Sequence, residues 1–232
     1  MGILGRMLRP VLQRSGPWPR PGLTFAVAVF ALAMAYLESA VVVYLREALG
    51  VGTGDVFPID LESELSGRLG WIEIGREAAT LLMIGGIGWV AGRIGLERLA
   101  WAAVVFGIWD IGYYAWLWVF SGWPESLLTW DLLFLIPAPW AGPVWAPVAV
   151  SLALVGFGLA MAGRYRAGMA PTSGRWPLLG LAAGGAIVVL SFLTNATLVL
   201  DAVTPSDFAW PIFGAGMAIG IVSAVTVLRS AR

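Results

Sequence analysis

Apolar runs separated by short polar connections set the pattern of this chain. They lie at about residues 22–45, 69–91, 99–120, 148–163, 176–200 and 209–228. A helix rises ~1.5 Å per residue, so about 20 apolar residues cross a hydrocarbon core of roughly 30 Å. Each run therefore predicts a membrane-spanning helix, and the first is too long for the core of a cleaved signal. Between the third and fourth runs the pattern changes. Trp123-Pro124-Glu125 reads as a helix start, with proline at the first position and an acid in the first turn. Pro137 and Pro139 end that element about 13 residues later, after ~20 Å, short of a full crossing. The expectation is a half-helix over 124–137 that enters the membrane and turns back at 137–143. Such broken backbone is tolerated at depth only where protein or water covers it. The predicted fold is all-α: a polytopic transmembrane helical bundle of six spans plus a proline-terminated re-entrant half-helix, forming one domain over 22–228 behind a basic arm at 1–21.

Arginine placement orients this arrangement. The arm carries Arg6, Arg9, Arg14 and Arg20, and every second connection adds more: Arg93 and Arg98, Arg164, Arg166 and Arg175, then Arg229 and Arg232. The opposite side keeps Arg46 and Arg68. Basic residues gather on the cytoplasmic side, so six spans with both termini cytoplasmic are expected, in a cell inner membrane. A full crossing at 124–137 would put the Arg164–Arg175 group outside, which the same rule disfavours.

Composition agrees and excludes several chemistries. Of 232 residues, 59% are hydrophobic and 12% charged, where a soluble domain is about a quarter charged. Cysteine and histidine are absent, which removes disulfides, thiolate catalysis, a Ser-His-Asp triad, Cys/His zinc sites and His-ligated haem. A bound metal would have to be oxygen-ligated, as Mg²⁺, Mn²⁺ or Ca²⁺ are. No P-loop or G-x-G-x-x-G follows a strand, and neither a nucleotide nor a nucleic-acid partner is expected.

The polar residues inside the apolar runs are the candidate chemistry. Glu73, Arg76, Glu77 and Thr80 share one helix face. Glu38 sits about two turns from the far end of the first run, Asp110 near the middle of the third, and Asp131 in the half-helix. On the predicted topology all lie in the outer half of the membrane, while the inner half is nearly free of ionisable groups. Each charge at mid-membrane costs roughly 2.5–3.5 kcal/mol, so these residues are expected to meet one another, water, protons or a cation. Tyr113, Tyr114, Thr80 and Asn195 are the expected supporting partners.

Three functions fit. The first is a proton or cation site, used for transport, with Glu38, Glu73, Glu77, Asp110 and Asp131 as acceptors or metal ligands and Arg76 setting the charge. The second is an intramembrane enzyme acting on a lipid or lipid-linked substrate at the outer leaflet, with Arg76 holding a phosphate. The third is a structural or assembly subunit in which the network only fixes helix positions. The spacings Gly88-x-x-x-Gly92, Gly180-x-x-x-Gly184 and Gly216-x-x-x-Gly220 read as close helix packing.

Four segments carry a resemblance: Y-L-E-S-A-V-V-V-Y-L-R (36–46), E-I-G-R-E-A-A-T-L (73–81), F-G-I-W-D-I-G-Y-Y (106–114) and G-W-P-E-S-L-L-T-W-D-L-L-F-L-I-P-A-P-W-A-G-P-V-W-A-P (122–147). Together they resemble a family of uncharacterised bacterial polytopic membrane proteins. The resemblance implies bacterial origin and inner-membrane residence, and brings no reaction or ligand with it.

Overall fold

In a computed structural model, residues 20–50, 68–170, 174–201, 203 and 205–230 are described. The basic arm at 1–19, the acids Asp55, Asp60, Glu62 and Glu64, and Arg232 lie outside the described residues. Six long helices dominate: α1 (Pro21–Leu49), α2 (Arg68–Ala91), α3 (Gly95–Ser121), α4 (Trp145–Arg166), α5 (Arg175–Leu193) and α7 (Trp210–Ser230), with a single-turn α6 (Ala196–Leu200) after α5. Five of the six are long and apolar enough to cross a membrane. The exception is α2, which carries Arg68, Glu73, Arg76 and Glu77. The run expected at 176–200 is divided at Thr194-Asn195, where the amide of Asn195 donates to the Asp207 carbonyl at 3.1 Å.

The half-helix expected over 124–137 is not formed. In its place β1 (Trp130–Phe134) and β2 (Trp140–Pro143) pair antiparallel, with Asp131 opposite Gly142 and Leu132 opposite Ala141. Val144 N–H to Thr129 O (3.0 Å) and Trp145 N–H to Leu127 O (2.7 Å) extend the pairing down to the start of α4. The prolines at 124, 137, 139 and 143 leave room for little helix, because each lacks a donor and disfavours helical backbone before it. The hairpin gives the same backbone groups partners across its own ladder. The fold is thus a helical bundle with one small sheet, not purely helical.

Beside the α2–α3 contact, where a Cβ on Gly88 would stand 2.7 Å from the Arg98 carbonyl, two close crossings hold the bundle. In the first, α3 meets α4, where a Cβ on Gly107 would stand 2.5 Å from the Ser151 carbonyl and one on Gly158 2.5 Å from the Ala100 carbonyl. In the second, α5 meets α7, where a Cβ on Gly184 would stand 2.7 Å from Gly220 N and one on Gly216 2.8 Å from Val188 N. Only glycine lets backbones approach so closely, and without a hydrophobic drive in lipid that contact is dispersion and packing. Around α3, α1 and α2 pack on two further sides. Ser39 Oγ on α1 lies 2.8 Å from Ala35 O and 2.9 Å from Tyr113 O, so one hydroxyl bridges α1 to α3. The main core of Ala31, Ala35, Trp101, Val104, Val105 and their neighbours lies between α1, α2, α3 and α4.

At the end predicted to be cytoplasmic, Arg93 donates to Glu97 Oε2 (2.9 Å) and to the Tyr165 carbonyl (2.9 Å), fixing the α2–α3 turn to α4. The Arg98 guanidinium stands 3.5 Å above the Trp89 ring. By contrast α4 meets α7 over a short stretch only. The bundle is therefore tight within α1–α4 and within α5–α7, and loose between them.

This contrast gives a paired test. Gly184→Leu is expected to lower stability by about 1–3 kcal/mol, the cost of overpacking a tight contact. Gly185→Leu, whose Cβ meets nothing within 4 Å, is expected to leave melting temperature unchanged or slightly raised, since leucine favours helix over glycine by up to about 1 kcal/mol. Thermal melts of both variants in one detergent check the pair.

Candidate functional site

The loose seam holds a cavity of about 720 Å³. Glu38, Glu73, Arg76, Glu77, Asp110 and Asp131 all line it, drawn from α1, α2, α3 and the hairpin. Their convergence follows from three positions: the outer half of α1, the first turns of α2 and the middle of α3. The hairpin then lays Asp131 against α3.

Arg76 is the hub. It forms ion pairs with both Glu38 on α1 and Glu73 one turn before it on α2, and its Nε donates to Glu73 Oε2 at 3.0 Å. The three side chains are 21%, 11% and 15% exposed, so they are partly withdrawn from water. Two carboxylates around one guanidinium suit its planar fork of donors. Thr80, fully buried, completes the group with a 3.3 Å hydroxyl contact to Glu38.

The other three acids each have a different partner. Both oxygens of Glu77 accept from the backbone N–H of Leu135, at 2.9 and 3.0 Å, tying α2 to the turn of the hairpin. Asp131, 2% exposed, accepts from the Tyr114 hydroxyl at 3.0 Å. Asp110 accepts from Ser151 of α4 at 2.8 Å. The carboxylates thus act as clips between elements, and among the described residues no three of them group as a metal ion would need. The metal set expected from sequence, Glu38, Glu73, Glu77, Asp110 and Asp131, is therefore brought to one cavity yet divided between separate partners.

Tyr113 and Tyr114 line the cavity with the acids, whereas Asn195 bonds Asp207 away from it. Three lining residues with charged or polar groups escape sequence reasoning. Arg46, in the last turn of α1, lines the cavity with its guanidinium 4.5 Å from the Trp123 ring and no ion pair among the described residues. Trp109 and Trp140 also line it, and their indole N–H groups are buried with no hydrogen-bond partner. Arg46 carried a signal, since it is one of two arginines on the outer side. The tryptophans carried none, since 13 are present and interface placement explains most of them.

Beyond the charged end the cavity continues between α4, α5 and α7, where Leu154, Phe157, Leu181, Val188, Met217 and Val225 represent the wall. On α7 the lining runs from Gly216 to Leu228, about 18 Å at ~1.5 Å per residue. None of the lining residues on α4, α5 or α7 is ionisable. A second, apolar hollow of about 320 Å³ sits between the start of α2, the hairpin turn and Leu200. Compared with known protein families, with functionally described proteins and with solved structures, the chain matches none.

Removing Arg76 alone strands two carboxylates. Arg76→Leu is expected to cost about 3 kcal/mol, the lower end for breaking a buried pair, and the triple change Arg76→Leu, Glu38→Gln, Glu73→Gln to recover most of it. Reversible denaturation of both proteins measures the difference. Glu77→Ala leaves the Leu135 N–H without its acceptor, at about 1–3 kcal/mol; its hydrogen exchange is expected to quicken while amides of α3 stay protected.

Proposed function

We propose that this is a six-span inner-membrane protein that binds an amphipathic lipid or lipid-linked molecule, its head among the carboxylates and Arg76 and its chain between α4, α5 and α7. The single observation that carries this reading is the continuity of the 720 Å³ cavity, charged at one end and apolar along the rest. A small ion would have no use for an apolar arm of about 18 Å. An acyl or prenyl chain would bury surface along all of it, at roughly 25 cal/mol per Å².

The sixth span is α2. Its charges exclude it from the plainly apolar helices, but Arg76, Glu38, Glu73 and the Leu135 amide supply the partners that make such a helix tolerable in a membrane. The hairpin replaces the expected half-helix as the re-entrant element, its ladder and its bond to Glu77 occupying backbone groups that lipid could not satisfy. With both termini cytoplasmic, the head end of the cavity faces the outer leaflet.

A second reading, uptake of protons or a small cation, is favoured by one observation: five acids line the cavity against two arginines. The two readings part on the apolar arm. Gly156 lines that arm, and a Cβ there meets nothing within 4 Å. Gly156→Phe is expected to lower binding of a fluorescent diacyl lipid to the purified protein at least tenfold with an unchanged melting temperature. Undiminished lipid binding, with proton or cation flux retained in proteoliposomes, would favour the second reading.

A further inference from the structure

We propose that the head end of the cavity is built for a zwitterionic headgroup, one carrying an anionic phosphate and a primary ammonium, as in phosphatidylethanolamine. This rests on the amphipath reading above and adds the chemistry of the head.

Groups of both signs line the cavity. The first are acids, in excess. Glu38, Glu73, Glu77, Asp110 and Asp131 line the cavity against Arg46 and Arg76. Arg76 is committed to Glu38 and Glu73. Glu77, Asp110 and Asp131 have hydrogen-bond donors, a backbone amide, a serine and a tyrosine, but none has a paired cation. Arg76 acts on Glu77 and Arg46 on Asp131 through space, while Asp110 faces no cation, so an ammonium adds positive charge where acids outnumber arginines. The nearby rings of Phe106, Trp109, Tyr113, Tyr114, Phe134 and Trp140 add faces that attract a cation.

The second are donors. Trp109 is 5% exposed and its indole N–H is unpartnered, as is that of Trp140. Arg46 touches the Trp123 ring and, among the described residues, makes no ion pair, although its charge reaches Asp131. Neither indole nitrogen is open to the cavity, so it is the guanidinium of Arg46 that calls for an anionic partner. A purely cationic head would leave Arg46 unmet. A purely anionic head would add to the excess of acid. A zwitterion answers both signs at once.

The test uses the full-length protein in detergent and native mass spectrometry with four amphipaths of matched chains: phosphatidylethanolamine, phosphatidylglycerol, diacylglycerol and a dialkylammonium. Phosphatidylethanolamine is expected to bind at least tenfold more tightly than each of the others. Asp131→Asn, which keeps an acceptor for Tyr114, is expected to weaken it at least fivefold while leaving diacylglycerol unchanged. Arg46→Gln is expected to weaken both phospholipids and leave the dialkylammonium unchanged. If Asp131→Asn does not fold, the ranking on the unaltered protein and Arg46→Gln decide. Equal binding of all four, still blocked by Gly156→Phe, would overturn the headgroup assignment and leave the amphipath reading standing. Binding of none, or binding indifferent to Gly156→Phe, would remove both.

Discussion

A guanidinium shared by two carboxylates, partly withdrawn from water, is the interaction on which this structure turns. Arg76 cannot lie on an apolar helix without compensation, and neither can Glu38 or Glu73. Pairing them draws α1 and α2 together at one depth, although those two helices otherwise touch little and both pack on α3. One turn along from Glu73, Glu77 faces the hairpin and holds its turn through the Leu135 amide. Polar side chains are scarce in this bundle, and most of the buried acids clip one element to another.

The apolar packing is divided in a way that gives those clips a purpose. Glycines bring α3 onto α4 and α5 onto α7 at backbone contact. Nothing comparable joins α4 to α5 or α7, so a cavity persists along that seam. The hairpin closes one end of it. Phe134 contacts Trp109 and Trp140, and Trp140 stacks on Phe192 of α5 with ring planes 10° apart. Gly142 passes so near Phe192 and Phe208 that a Cβ would stand 2.8 Å from the Phe192 ring. The hairpin is thus attached to both halves of the bundle, by hydrogen bonds on one side and aromatic faces on the other.

Under the lipid-binding proposal, the head would lie at the charged end of the cavity and the chain along its hydrocarbon walls. In this reading the hairpin, rather than a half-helix, borders the head of the ligand, and the glycines facing the seam leave room for its chain.

Much of this was legible from residue order. Six helical segments followed from the length of the apolar runs, because a bilayer sets a minimum span and residues near it in sequence settle it. The stripe of Glu73, Arg76, Glu77 and Thr80 followed from helical period alone, and Arg76 had to find an acid because an isolated charge withdrawn from water is too costly. What stood outside reach was set by contacts distant in sequence. Residues 124–137 look like the start of a helix locally, yet 130–134 take a strand because 140–143 offer a ladder and Glu77, 58 residues away, accepts the Leu135 amide. The choice of Glu38 together with Glu73 for Arg76, the separation of Asp110 and Asp131 onto Ser151 and Tyr114, and the presence of Arg46 and two unpartnered tryptophans on one wall were likewise decided by tertiary structure. Hydrophobic period and charge cost act within a helix and can be read along it. Which acid meets which donor depends on how helices cross, and here glycine contacts between partners far apart in the chain govern those crossings.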